Sequence, residues 1–428
     1  MYTAGAIGAV AARAEGGEGT MNRRVYVIGA GRTDFKRNLR KEGLALRDVI
    51  EEAGRAAITD AGLQPGDVQA GIVGNFAAGL YTRQLHLGSL LVGIDESLRG
   101  IPTLHTEAAC ASGSVAVLTA AQWVGCGLYD LVLVVGAEQQ KTMAPAEGAD
   151  VLAAAADWIA EKPLYGEHMM PKMFARIAEA YAARHGLSER QLASVVLKNY
   201  AHARLNPLAQ MRDASMSAEK ALTACDANPR FAPPLKITDC SQITDGAAAV
   251  VLASERFLRR GRSLALAGYG HTTDVLRLDG KSVPDFPVVR RAAERAYAMA
   301  GVGPRDLDAA EVHDCFSISE LVAYEALGWA EPGGAAALIE SGATTLPRAR
   351  AEIGVGDRPA FTMPVNTGGG LIADGHPVGA TGVRQVVEMF RQTSGEAGER
   401  QVEGARTVMT FNMGGSLTTN VAMIWRGA

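Results

Sequence analysis

Ala61-Gly62-Leu63-Gln64-Pro65-Gly66-Asp67-Val68 and Ala300-Gly301-Val302-Gly303-Pro304-Arg305-Asp306-Leu307 are two versions of one segment. Alanine, glycine, proline and aspartate coincide, and Ala61 lies 239 residues before Ala300. Each copy ends an amphipathic helical run, over 45–61 in the first case and 288–300 in the second. A glycine just past the last periodic residue is a helix stop signal. Each copy then leads into a strand-like run, near 69–73 and 309–312, and each helix is preceded by another, at 24–28 and 264–267. Self-similarity at so long a period means a duplicated α/β domain, because solenoid repeats span only about 20–50 residues. Strands alternating with helices predict mostly parallel sheets covered by helices.

Further along, the two halves fall out of register. Residues 332–359, with Gly333-Gly334, Pro347 and Gly354, read as an insertion in the second half. Residues from about 140 to 245 are polar and Met-rich, with a helical stretch at 173–185, Asn206-Pro207 and Pro233-Pro234. They read as a loop domain reaching over a pocket, or as elaboration of the scaffold. The expected organisation is therefore a disordered tail at 1–20, an N-terminal half over 21–262 that includes the loop domain, and a C-terminal half over 263–428. The first 20 residues are Ala/Gly-rich with a single Arg and no apolar core, unlike an export signal. A start codon assigned too early is the other reading, since Met21 directly precedes the first strand-like run.

With 48% hydrophobic and 21% charged residues the chain is globular and buries large cores. A formal charge of −4 and no Lys/Arg-rich run give no footprint for nucleic acid. The longest apolar stretches, 115–124 and 131–135, are too short to span a bilayer. Five scattered cysteines (110, 126, 225, 240 and 315) point to free thiols in a reducing compartment, expected to be the cytoplasm. Their reactivity is then the question.

Three segments hold the chemistry. Cys110 stands in Glu107-Ala108-Ala109-Cys110-Ala111-Ser112-Gly113, ahead of an apolar helix at 115–124. A thiol at such a turn faces the positive end of the helix dipole, which is expected to lower its pKa and make thiolate accessible. The alternative is a buried, inert cysteine. His313-Asp314-Cys315-Phe316 follows the apolar run 309–312; if that strand continues, its two-residue period puts His313 and Cys315 on one face and Asp314 on the other. A metal site or simple packing are the rivals, and no further ligand spacing supports a metal. His376 lies in Gly375-His376-Pro377-Val378-Gly379-Ala380-Thr381-Gly382, a loop before a helix at 383–390, where phosphate cradling is the rival. No Gly-Lys-Ser/Thr follows, which excludes a Walker loop. Gly29-Ala30-Gly31 lacks the third glycine of a dinucleotide fingerprint. Cys126 and Cys240 are expected to be buried structural thiols. Two thiols and two imidazoles suit acyl transfer through a thioester and proton transfer at the carbon next to a carbonyl.

At these residues the chain resembles the thiolase superfamily, from about Arg23 to Trp425. Glu-Ala-Ala-Cys-Ala-Ser-Gly, His-Asp-Cys-Phe, Gly-His-Pro-x-Gly-Ala-Thr-Gly, Thr244-Asp245-Gly246-Ala247-Ala248 and Asn412-Met413-Gly414-Gly415 carry the resemblance. It is most similar to the sterol-carrier-protein-type and archaeal-type acetyl-CoA acetyltransferase-like branch. Conventional thiolases have Asn-Glu-Ala-Phe at His313–Phe316 and an acid/base cysteine where this chain has Asn412.

The resemblance implies a duplicated five-layered α-β-α-β-α fold with an inserted loop domain. It implies reversible Claisen condensation or thiolytic cleavage of a 3-ketoacyl-CoA through an acyl-cysteine. Cys110 would be the nucleophile, His376 its base and Cys315 the acid/base. The Cys110 and Gly414 backbone N–H groups would form one oxyanion hole, and His313 with His376 the other. No bound cofactor or metal is expected. Coenzyme A is the co-substrate, with Lys172, Arg176, Lys198 and Arg204 as unassigned basic candidates near it. A homodimer or larger assembly and a small zinc-ribbon/OB-fold partner are implied too. A partner-dependent C-acyltransferase or carbon–carbon lyase acting on an unusual acyl-CoA, and a non-catalytic acyl-CoA-binding scaffold, are the competing functions.

Overall fold

The computed structural model describes residues 23–258, 261–356 and 359–428, so the tail expected at 1–20 lies outside the described residues. Nine strands form the frame: β1 (Val25–Arg32), β2 (Ala70–Gly74), β3 (Thr103–Thr106), β4 (Leu131–Glu138), β5 (Gly246–Ser254), β6 (Leu264–Thr273), β7 (Ala309–Glu311), β8 (Thr407–Gly414) and β9 (Thr419–Gly427). Their spatial order is β3-β2-β4-β5-β1-β6-β9-β8-β7. The first five strands in sequence thus stand on one side and the last four on the other. The two groups join where Tyr26 and Val27 of β1 pair with Ala265 and Leu264 of β6.

The expectation of mostly parallel sheets is corrected. β2 runs parallel to β3 and β4, and β7 to β8, while the other five pairings are antiparallel. The hairpin from β8 to β9 accounts for one of these, because so short a turn joins only antiparallel strands. β5 accounts for others, since it re-enters the sheet after the long 139–245 excursion rather than after a crossover helix.

Seven helices matter for the site: α1 (Leu46–Asp60), α2 (Ser112–Gly125), α3 (Met169–His185), α4 (Glu189–Arg204), α5 (Pro287–Ala300), α6 (Ser317–Ala326) and α7 (Thr381–Thr393). Alternate strand residues face opposite layers. In β5, Ala248, Val250 and Leu252 pack with Val117 of α2 and Val386 of α7, whereas Ala249, Val251 and Ala253 pack with Val49 and Ala53 of α1. Likewise Val421, Met423 and Trp425 of β9 join the central cluster, while Ala422 and Ile424 pack with α5 and α6. The layers are therefore α1, sheet, the pair α2 and α7, sheet, and α5 with α6.

The Gly29-Ala30-Gly31 run lies inside β1 and serves packing. A Cβ on Gly29 would come 2.5 Å from the Ala57 carbonyl oxygen of α1. Residues 139–245 pack on the C-terminal group, with Met173, Phe174 and Tyr181 of α3 in one cluster with Phe316, Leu321 and Trp329. In the 332–359 insertion, Leu346 and Ala349 pack on Ala201 of α4. No helix among the described residues is long and apolar enough to cross a membrane.

Candidate active site

Cys110 lies between β3 and α2, just before the first helical turn. Ala109 before it has φ +51°, the left-handed region that costs a non-glycine residue about 1 kcal/mol or more. Ser112 holds this elbow. Its hydroxyl accepts from the Ala108 N–H (2.9 Å) and donates to the Ala109 carbonyl (2.6 Å).

His376 enters from the glycine-dense loop before α7. Its backbone N–H donates to Thr244 Oγ1 at 2.9 Å. Its ring Nδ1 lies 2.7 Å from Thr381 Oγ1, whose own proton goes to the Pro377 carbonyl at 3.2 Å. Thr381 must then accept from Nδ1–H, which leaves the His376 Nε2 lone pair free.

His313 follows β7 on a loop. The expected strand stops at Glu311, but the alternation of sides persists. The Asp314 carboxylate turns away to accept from Leu371 N (2.7 Å), Ile372 N (3.2 Å) and Asn199 Nδ2 (2.7 Å). The His313 Nδ1 accepts from Asn412 Nδ2 of β8 at 2.8 Å, so its hydrogen sits on Nε2.

The structure brings these groups together. The Cys110 sulfur and one ring nitrogen from each histidine lie within 4.8 Å of one another. The two rings meet edge to face, with centroids 5.1 Å apart. Cys315 completes the group: a charge on Cys110 is felt at its thiol, and its Sγ lies 3.7 Å from Ser319 Oγ. All four side chains are buried. Such a triad of donors has the composition of a metal site, but His313 presents an N–H to it and would first need the other tautomer.

Burial fixes the charge states. It holds His376 down at about 3 and His313 well below the ordinary histidine value, with His376 and Arg384 adding to the effect on His313. It raises the Cys110 thiol to about 12, although the Gly415 and Cys110 backbone N–H groups pull the other way. The lowered thiol expected from the helix dipole is thus corrected: loss of water around the sulfur outweighs the backbone donors. Cys315 is raised too, by burial first and then by Cys110. The resting site holds neutral thiols and neutral imidazoles.

Gly414 is constrained by the Cys110 elbow. A Cβ there would lie 2.2 Å from the Ala108 carbonyl oxygen. The following turn is fixed by buried Lys281, which donates to Ser416 O (2.6 Å), Ser416 Oγ (2.8 Å) and Thr418 Oγ1 (2.7 Å). On the other side Glu138, raised to about 7 by burial, accepts from Gly379 N, Phe76 N and Asn75 Nδ2 at 2.9–3.0 Å.

Two models of one family together span most of the chain. The thiolase N-terminal domain matches residues 25–256, and the thiolase C-terminal domain-like model matches 279–426. The chain belongs to the thiolase family. An acetyl-CoA acetyltransferase of Methanothermobacter thermautotrophicus is 36% identical over 397 residues, 92% of this chain and 97% of that one. Human sterol carrier protein 2 is 31% identical over 411 residues, 92% and 70% of the two chains. In fold it is similar to the Ltp2-ChsH2(DUF35) aldolase, with TM-score 0.77 and 21% identity over 94% of this chain and 98% of that one. Human mitochondrial 3-ketoacyl-CoA thiolase in complex with CoA has TM-score 0.68 and 18% identity, over 96% and 99%. The protein is an acyltransferase of thiolase type.

Within this thiolase the other sequence candidates fall in different places. Cys126 is exposed, which corrects the expected buried thiol, because its helix ends at the surface. Cys240 is half-buried beside the site, and the N–H of the next residue, Ser241, donates to the Cys315 carbonyl at 2.9 Å. Lys172 and Arg176 line a cavity of about 470 Å³ with Tyr165 and Phe231. Lys198 is wholly buried against Glu320 at 2.9 Å, and Arg204 pairs with Glu352 at 2.6 Å. Met169 and Met173 are core residues, and Phe174 stacks on Phe316, next to Cys315, at 4.5 Å.

The sequence reading left out Thr381, Thr244, Asp314 and Glu138 as site partners. Thr381 and Thr244 stood within quoted motifs, so a signal existed for them. Asp314 stood in one too and was expected on the face away from the thiol, where it is found, while Glu138 carried no signal beyond being an acid at a strand end.

Proposed function

We propose that the protein catalyses reversible Claisen condensation and thiolytic cleavage of a 3-ketoacyl-CoA through a Cys110 acyl-enzyme, with coenzyme A as co-substrate. The observation that carries this reading is the opposite protonation of the two imidazoles around one thiol. His376 offers a lone pair and His313 offers an N–H.

In cleavage, the Cys110 proton passes to His376 Nε2 as sulfur attacks the β-carbonyl. Neutral thiol and neutral imidazole suit this concerted transfer, since neither charge exists before substrate arrives. The family resemblance gives the Cys110 and Gly414 N–H groups the task of holding the resulting oxyanion, and the Cys110 and Gly415 N–H groups are the backbone donors that reach the thiol. The Cα–Cβ electron pair then collapses onto the thioester oxygen of the departing acetyl-CoA, where His313 Nε2–H donates. Cys315 gives its proton to the carbon. The Cys315 thiolate next takes the proton of an incoming CoA thiol, whose sulfur attacks the acyl-Cys110 carbonyl. The bond to Cys110 breaks and the leaving thiolate recovers its proton from His376 Nε2. Condensation runs these steps in reverse. Of the four basic candidates for CoA, Lys172 and Arg176 line the cavity at α3, and none of the four is assigned a contact.

The decisive experiment is thiolysis of acetoacetyl-CoA by the wild type beside Cys110→Ala and Cys315→Ala. Each variant is expected to lose about 10³-fold or more in kcat. Only Cys315→Ala should still take up an acetyl group from acetyl-CoA. Acylation of wild-type Cys110 without cleavage would favour the partner-dependent acyltransferase or lyase reading. Neither reaction would leave an acyl-CoA-binding scaffold. A cytoplasmic homodimer or larger assembly is part of the same proposal, and size measurement in solution tests its second half.

A further inference from the structure

We propose that Asn412 is a positioning residue that locks the His313 proton on Nε2, making this imidazole a hydrogen-bond donor to the enolate oxygen. The inference rests on the thiolase chemistry proposed above and deepens it. Asn412 sits in β8, fully buried, opposite Val421 of β9. Its Nδ2 is 2.8 Å from His313 Nδ1, and an amide nitrogen can only donate. Its Oδ1 has no partner and points to the space that Gly382 leaves, where a Cβ would lie 2.6 Å away. A buried orphan acceptor costs about 1–3 kcal/mol. The amide therefore accepts an unsatisfied oxygen in order to turn its nitrogen to the imidazole.

The two histidines thereby divide the work. Thr381 accepts from His376 and leaves a base; Asn412 donates to His313 and leaves an acid-side donor. At cleavage no proton leaves His313. Its Nε2–H stabilises the oxygen that receives the Cα–Cβ pair, while the proton reaching carbon comes from Cys315.

Asn412→Asp tests this, because the isosteric carboxylate only accepts and would move the His313 hydrogen to Nδ1. Two rates are compared with the wild type at neutral pH: acetylation of Cys110 by acetyl-CoA, and thiolysis of acetoacetyl-CoA. Acetylation is expected within about threefold, and cleavage is expected to fall about 10²–10³-fold, as for loss of one oxyanion donor.

A pH series adds a readout that lost packing would not move. His313 faces His376 of the glycine-dense loop, Arg384 of α7 with its partner Glu311 of β7, Cys110 at the start of α2, and Cys315 on its own loop. Only the new aspartate would favour its imidazolium. An imidazolium donates from both nitrogens, so cleavage by Asn412→Asp should recover as pH falls. The wild type should show no such rise.

Asn412→Ala, which leaves both tautomers accessible, should lie between the two. Acetylation and cleavage falling together in both variants, or full cleavage by Asn412→Asp, would overturn the assignment and leave the proposed function standing. A wild type that neither acetylates nor cleaves would overturn both.

Discussion

The two central helices, α2 and α7, begin alike and then diverge. Ala111-Ser112-Gly113 opens the first and Ala380-Thr381-Gly382 the second, each just after a turn that brings in a reactive group. Past the opening, α2 is apolar on its buried side, with Ala116, Val117, Ala120, Ala121 and Val124. α7 instead buries Arg384, Gln385, Glu388 and Gln392. The nucleophile stands on a simple hydrophobic rod, which needs only to present a strained elbow. The loop carrying His376 needs more, because its glycines favour many backbone conformations. Arg384 meets Glu311 and Asp374, Arg32 meets the same Asp374, and Glu388 meets Arg400. Ion pairs thus fix one half of the site and packing fixes the other.

The sharpest way to break that contrast is Arg384→Met. Removing one partner of a buried pair costs about 3–5 kcal/mol, mostly from the charge left behind. Glu311 is already held above the usual carboxylate range by burial despite Arg384. In the variant it should hold its proton in the folded state still more tightly, whereas the unfolded chain releases it near pH 4.3. A raised folded value stabilises below the unfolded pKa, and that stability is lost as pH rises through the folded one. The deficit in denaturant midpoint should therefore be larger at pH 8 than at pH 6. A deficit under 1 kcal/mol at both would mean that the network is ornament and packing alone fixes α7.

That contrast was only half legible in the sequence. The short motifs around Cys110, His313, Cys315 and His376 were readable because turn residues and small neighbours mark them locally. Thr381 and Asn412, which set the protonation of the two imidazoles, stood in quoted motifs as well, but which histidine Asn412 would meet was not readable. Asn412 reaches His313 across 99 residues, and Arg384 reaches Glu311 across 73. Such pairs depend on which strands become neighbours, and periodicity does not state this. The Cys110 error has the same origin. A helix start is visible in sequence, but the burial that raises the thiol is a property of the folded chain, and so is the opposing N–H of Gly415, which arrives from the other half. The duplication was legible in the repeated Ala-Gly and Pro-Asp pattern, whereas strand direction was misjudged because a long excursion and a hairpin return the chain without crossovers.

A smaller effect is expected where the helices touch. A Cβ on Gly382 would lie 2.3 Å from both Ser114 N and Ser114 Oγ, and 2.6 Å from Asn412 Oδ1. Gly382→Ala should therefore push α7 from α2 and cost about 1–3 kcal/mol, as overpacking does. It should also lower cleavage, because Asn412 holds His313. An unchanged melting temperature would show that the helices separate freely and that the site tolerates it.

The smallest change separates hydroxyl from backbone at the same contact. Ser114 Oγ is buried with no partner, and alanine is the better helix former. Ser114→Ala is expected to alter stability by no more than about 0.5 kcal/mol, in the favourable direction. Combined with Gly382→Ala it removes one of the two clashes with Ser114 but leaves the 2.3 Å approach to its backbone nitrogen. Most of the Gly382→Ala penalty should then persist in the double variant, read as a coupling energy from the four melting curves. Full rescue would place the closeness of the two helices in a side chain that can be trimmed; persistence places it in the backbones, where only glycine lets the nucleophile's helix and the histidine's helix meet.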